Sequence, residues 1–304
     1  MGGGTWTTRA FRDYAGTRGR DTDDSGRVTT SYASAQDMYV RRALSEGMDP
    51  RRFKVRECRD SDEHPATLPV ILAIDVTGSM GQAAIEVAKS LDRIVTSIAQ
   101  EARDAEFGVM GIGDGRYDRA PVQMSQFESD VRIARALDDI WFEGGGGGNG
   151  WESYTAAWYM ASRRTDLDIW KRGGKGVLVT FGDEPCNPWL EYDELHPFVD
   201  GPDEASEAWS RMKSEDLYEE VSKKYDVYHV HVVHGSASSE RAADCRSSFS
   251  KYLPGSHVFT SSVNSLPDVV SGIVLAAARK DAARPAGGEE ASAVKVDGNG
   301  MIDW

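Results

Sequence analysis

The apolar residues of this chain change their spacing several times, and each change marks an element. LPVILAID (68–75) is a continuous apolar run that ends in an acid. Such a run predicts a strand buried on both faces, as at the centre of a parallel sheet. Ala84, Val87, Ala88, Leu91, Ile94, Val95 and Ile98 then recur at helical spacing, which predicts one long helix. AEFGVMGIG reads as a second strand. A weaker one follows over 120–125, where Pro121 suits a short antiparallel edge. ESDVRIARALDDIWF is helical, GGGGGNG interrupts the pattern, and WESYTAAWYMASRR starts another helix. GKGVLVTFGDEP repeats the opening motif of an apolar strand that ends in an acid. A helical region around 204–224, the strand VYHVHVVHG, a helix over 239–252, the strand SHVFT and the helix SLPDVVSGIVLAAARK complete the series. Strands alternating with helices predict an α/β, Rossmann-like fold. Its central sheet is mostly parallel, has about six strands, and carries helices on both faces, with strand 70–75 in the middle.

The flanks are different. Residues 1–67 read as a polar N-terminal extension. Its first thirty residues hold almost no aliphatic side chains and should not fold alone. Residues 34–46 predict one short helix anchored by Met38, Val40 and Leu44 and stopped at Gly47, and 48–67 reads as a charged linker. The domain proper spans 68–280. A tail, 281–304, ends in MIDW, for which docking on a partner or on the chain and simple fraying are both open.

Composition narrows the class. Hydrophobic residues make up 40% and charged residues 28%, within the globular range. Lys plus Arg number 35 against 49 Asp plus Glu, a net charge of −14, which repels phosphate backbones and argues against nucleic acid as a partner. Cys58, Cys186 and Cys245 are sparse and form no CxxC pair, so reduced thiols are expected. No apolar run approaches the roughly 18 residues of a membrane span, and MGGGTWTTRAF reads neither as a signal peptide nor as a myristoylation site. No membrane partner is expected. The expected location is cytoplasmic, with a virion or injection particle as the alternative.

Ligands of open α/β sheets bind at the carboxyl ends of the strands. Three segments place oxygen groups there: Asp75-Val76-Thr77-Gly78-Ser79, the glycine tract with Asn149, Glu152 and Ser153, and Gly182-Asp183-Glu184. Carboxylates and hydroxyls are hard ligands suited to Mg²⁺, Mn²⁺ or Ca²⁺. DVTGS resembles the metal-ion-dependent adhesion site, DxSxS, of the von Willebrand factor A family, with Thr77 in place of the middle Ser. The resemblance runs from about Leu68 to Lys280. It implies direct coordination by Thr77 and Ser79 and mainly water-mediated roles for Asp75 and Asp183. The third loop departs from the commonest pattern and is closer to Gly-Gly-Gly-Asp-x-Pro-Glu, which leaves Asn149 and Ser153 as candidate metal ligands there.

Blander readings compete with each motif. DVTGSMG also fits a plain helix cap, the glycine tract a simple connection, and Asp114 a turn. Glu152 and Glu184 read as solvated or capping. His229, His231 and His234 lack a following acid or Cys at ligand spacing, so packed, hydrogen-bonded strand histidines are expected rather than a zinc site. The stripe Trp151, Tyr154, Trp158 and Tyr159 reads as packing. The resemblance implies a metal-dependent protein-interaction module, not an enzyme. A partner would supply an Asp or Glu to the ion, and the family often serves as an adaptor or assembly subunit beside ATP-driven AAA+ rings. The alternatives are a structural subunit of a viral or injection particle with a vestigial site, and a metal-dependent hydrolase or phosphotransferase. The last would need a second acid where Thr77 stands, as in DxD, and the chain has no GxSxG or P-loop pattern.

Overall fold

The computed structural model describes residues 4–146, 148, 150–199, 210–234 and 239–283. Six strands form the main sheet, in the spatial order Val258–Ser262 (β10), Tyr225–Val233 (β9), Gly176–Gly182 (β6), Leu68–Asp75 (β2), Ala105–Ile112 (β3) and Val122–Met124 (β4). All neighbours are parallel except β3 and β4. Every residue of β2 is buried, as its unbroken apolar run requires, and the strand lies between β6 and β3. The short antiparallel edge falls where Pro121 placed it, because a residue without an N–H costs no ladder bond at a strand's outer start.

Helices cover the sheet on both sides. Gly81–Lys89 (α3), Leu91–Glu101 (α4) and Leu266–Ala282 (α10) pack together, with Thr155–Arg163 (α6) against Ser214–Val221 (α8) in a second group. Arg132–Asp138 (α5), Tyr192–Val199 (α7) and Ser239–Phe249 (α9) complete the set after the first β–α unit. The one long helix expected after β2 is two, broken at Ser90, whose φ of −101° and ψ of 5° leave the helical region. Its apolar stripe stays buried across the break. Of the helical region expected around 204–224, Ser214–Val221 is helical, Arg211–Lys213 is a strand instead, and 200–209 lies outside the described residues. Among the described residues no helix is long and apolar enough to cross a membrane.

The extension departs most from expectation. Thr8–Thr17 (α1) is a helix capped by Thr7, with Phe11 and Ala15 buried. Trp6 stacks near Phe11 and donates its indole N–H to Thr96 Oγ1 of α4 at 3.1 Å. The expected helix over 34–46 shrinks to Ala35–Met38 (α2), capped by Ser34. Tyr39 then turns extended, stacks on Phe142 and donates its hydroxyl to Ala84 O at 3.0 Å. Burying that ring outweighs another helical turn on a segment with few apolar residues. Of the expected anchors Met38 is buried, Leu44 half-buried and Val40 exposed.

The supposed linker 48–67 carries structure too. Arg56–Cys58 (β1) pairs in parallel with Thr165–Leu167 (β5). Met48 O accepts from Met124 N at 2.9 Å, which satisfies a backbone donor of the edge strand β4. Arg59 bridges Glu57, Asp166 and Asp168, so charges that look solvated in the sequence are paired. A third small sheet joins Trp189–Glu191 (β7) to Arg211–Lys213 (β8). Residues 284–304, including MIDW, lie outside the described residues.

Candidate metal centre

β2 and β6 end side by side, and the chain leaves each at an acid. At the end of β2, Asp75 is fully buried. Its Oδ1 accepts from Thr77 N at 2.9 Å and from Thr77 Oγ1 at 2.6 Å. That local turn lifts Thr77 out of the strand and aims its hydroxyl at Ser79, 3.4 Å away. Ser79 Oγ donates to Asp183 Oδ1 at 2.9 Å, which closes the gap between the loops after β2 and β6. Gly78 makes the bend possible, because its N–H donates to Gly145 O at 2.7 Å and a Cβ there would sit 2.9 Å from Gly144 O. The glycine tract therefore lies directly on the DVTGS turn.

The structure thus brings Asp75, Thr77, Ser79 and Asp183 together. Ser153 stands apart: its Oγ accepts from Gly115 N at 2.9 Å, and it does not line the cleft formed by Thr77, Ser79, Gly145, Gly146, Glu152 and Arg241. That cleft has a volume of about 200 Å³. Asn149 lies outside the described residues. Asp114 takes the turn role, with Oδ1 accepting from Arg116 N at 2.8 Å.

Two residues that the sequence marked as bland belong to the site. Tyr154 donates its hydroxyl to Asp75 Oδ2 at 2.6 Å and accepts from Glu184 N at 3.3 Å. It ties the start of α6 to both acidic loops. Glu152 is 5% exposed, lines the cleft, and its Oε2 has no hydrogen-bond partner among the described residues. Nothing in the local pattern separates Tyr154 from the packing stripe around it, whereas Glu152 has a signal in its position just after the glycine tract. His234 Nε2 lies 2.9 Å from Asp183 Oδ2, and this contact raises the imidazole's pKa. His229 fits the packed reading, with Nδ1 2.9 Å from Thr180 Oγ1 and the ring stacked on Phe249. His231 is buried, but neither ring nitrogen has a partner among the described residues, so it corrects the expectation that the strand histidines are hydrogen-bonded.

No family model matches the chain. No curated protein matches it either. Among solved structures, the pilus adhesin SpaC from Lactobacillus rhamnosus GG, in its open conformation, aligns with a TM-score of 0.51 and 11% identity. The alignment covers 73% of this chain and 31% of the adhesin, so the chain spans about a third of that protein's length. The likeness is one of fold alone. The fold is α/β and Rossmann-like, a mostly parallel six-stranded sheet with helices on both faces. The vWF domain of the type V pili tip protein Mfa5 from Porphyromonas gingivalis aligns at TM-score 0.45 and 11% identity, over 69% of this chain and 95% of that one. The SpRpn10 VWA domain aligns at 0.39 and 14%, over 68% and 94%.

The electrostatics of this site are unbalanced. Burial, and then the Asp183 carboxylate, push the Asp75 carboxyl up to about 7. Burial, followed by Asp75, Asp114, Asp118 and Asp183, pushes Glu152 up to about 9. Among the described residues His234 is the basic side chain that reaches Asp75 or Asp183, while Arg241 is spent on Glu184. Among those residues no three His, Cys, Asp or Glu side chains gather closely enough to enclose an ion alone, so the hydroxyls of Thr77 and Ser79 are needed as donors. Buried negative charge of this kind is costly until a cation compensates it. The residues present fit a hard divalent ion.

This imbalance predicts a pH effect. Native Asp75 and Glu152 hold protons that the unfolded chain releases, so stability falls as pH rises. His234, raised by Asp183, acts in the same direction. The depressed buried imidazoles of His229 and His231 act oppositely, but their effect is complete once pH passes their ordinary value of 6.5. In EDTA, the urea midpoint should therefore decline between about pH 7 and 9, and Glu152→Gln should remove most of the decline. A flat midpoint in the wild type would show that these groups do not titrate in the native state.

Proposed function

We propose that this domain is a protein-interaction module that binds one divalent cation, Mg²⁺, Mn²⁺ or Ca²⁺, through Thr77 and Ser79. Asp75 and Asp183 support the ion from behind, and a partner protein completes it with an Asp or Glu. The observation that carries the reading is the cleft itself, lined by two hydroxyls, beside which Asp75, Asp183 and Glu152 have no Lys or Arg partner among the described residues. A cation held mainly by neutral hydroxyls keeps strong positive character and attracts an external carboxylate. The acidic net charge opposes this little, because exposed charges beyond about 8–10 Å are screened at physiological salt.

Binding fits better than catalysis. Ser79 donates to Asp183, and His234 reaches the same carboxylate rather than the serine hydroxyl, so among the described residues no histidine is placed to activate Ser79. The family resemblance adds an adaptor or assembly role, of the kind found beside AAA+ machines.

Calorimetry with Mg²⁺, Mn²⁺ and Ca²⁺ on the wild type and on Asp75→Ala tests the reading. Saturable binding of at least one ion is expected, and Asp75→Ala should lose it. Recovery of a partner from the native source should likewise fall with EDTA. Equal metal binding by both proteins would reject the assignment. A complex unchanged by EDTA would instead place the partner on another face.

A further inference from the structure

We infer that Glu152 is the metal ligand contributed by the third loop. This rests on the metal reading above and names the donor that the sequence left open. Three observations converge on it. Glu152 lines the same cleft as Thr77 and Ser79. It is 5% exposed, yet Oε2 has no partner among the described residues, so a buried carboxyl group in the cleft's lining is left unsatisfied. Its sister candidate Ser153 has turned away, its Oγ held by the N–H of Gly115.

The backbone explains how the carboxylate is presented. Glu152 forms an isolated bridge with Cys186, beyond the Asp183 loop, and its carbonyl accepts from Tyr154 N at 2.9 Å. The residue is thus clamped between the glycine tract and the loop after β6. Oε1 lies 4.0 Å from the place a Cβ would occupy on Gly146, so a bare glycine backbone borders the carboxylate. A buried carboxylate without a donor costs several kcal/mol unless a cation meets it. In this arrangement Thr77, Ser79 and Glu152 bind the ion directly, with Asp75 and Asp183 behind them. The ion then carries less residual charge than one held by hydroxyls alone. The preference should move toward Ca²⁺ or Mn²⁺, because affinity for Ca²⁺ rises with the number of charged oxygen ligands and Mg²⁺ sheds water reluctantly.

The experiment is calorimetric titration of the full chain with Ca²⁺, Mn²⁺ and Mg²⁺, on the wild type, Glu152→Gln, Glu152→Asp, Ser153→Ala and Ser79→Ala. Melting in EDTA is run alongside. Glu152→Gln should weaken binding at least about tenfold, the lower end of what even an outer-sphere partner contributes, and most for Ca²⁺. Glu152→Asp should lie in between, and Ser153→Ala should stay within about twofold of wild type. Glu152→Gln should melt no lower than wild type in EDTA, since it removes an unpaired buried acid. Wild-type affinity in Glu152→Gln together with loss in Ser79→Ala would overturn the inference and leave the metal reading standing. Equal losses in Ser153→Ala and Glu152→Gln would also overturn it, since the loop's shape rather than the carboxylate would then matter. A wild type that binds none of the three ions would reject both.

Discussion

Arg20→Ala is expected to destabilise the fold by about 3 kcal/mol, the lower end of the range for breaking a buried ion pair. Arg20 Nη2 lies 2.6 Å from Asp138 Oδ1, with the two side chains 8% and 7% exposed. The same guanidinium also donates to Met38 O at 3.2 Å. Its removal leaves Asp138 buried at the end of α5. Tyr14, whose hydroxyl donates to Asp138 at 2.7 Å, and the half-exposed Arg18 offset part of that cost, which is why the lower end applies. Arg41→Ala is the control. It breaks a pair with Asp139 whose side chains are 49% and 32% exposed, and such a pair contributes about 0–1 kcal/mol. Urea denaturation of the two variants decides the point. Equal small losses would mean that the N-terminal extension is not locked to the domain through Asp138.

Gly182→Ala is expected to cost roughly 2–6 kcal/mol and to weaken metal binding as well. A Cβ at residue 182 would lie 1.7 Å from Tyr154 Oη and 2.3 Å from Cζ. The ring cannot swing aside, because it is fully buried with its edge contacts to His229 and Phe249 at 5.4 Å. The estimate sums about 1–3 kcal/mol for overpacking and about 1–3 for the hydrogen bond to Asp75 that a displaced Tyr154 loses. Asp75 then loses its orientation, and the hydroxyls of the DVTGS turn lose theirs with it. Gly255→Ala, with no atom within 4 Å of the added Cβ, should stay within about 0.5 kcal/mol. A Gly182→Ala protein with wild-type melting and metal affinity would show that Tyr154 does not position Asp75.

How much of this is legible before folding varies with the range of the interactions. β2 and β6 are readable because each is an unbroken apolar run that ends in an acid, and burial on both faces allows only one kind of strand. The DVTGS turn is readable because its geometry is local, with Asp75 holding the hydroxyl two residues on. The extension is misread because its structure comes from partners far along the chain: Thr96 for Trp6, Asp138 for Arg20, Thr165 for Arg56. A charged segment looks like a linker until its counter-charges arrive from elsewhere.

The site divides along the same line. The sequence by itself determined the six strands of the main sheet, the central place of β2, the edge at Pro121 and the two acidic loops, because periodicity and short-range hydrogen bonding decide these. Only the tertiary structure decided which third-loop residue faces the cleft. Ser153 and Glu152 are adjacent and both carry oxygen, and one backbone N–H, that of Gly115, captures the serine and leaves the glutamate as the carboxylate in the cleft. Tyr154 likewise becomes part of the site only when the start of α6 meets the loops after β2 and β6. Its hydroxyl then meets Asp75, a contact between residues 79 positions apart that no local pattern encodes.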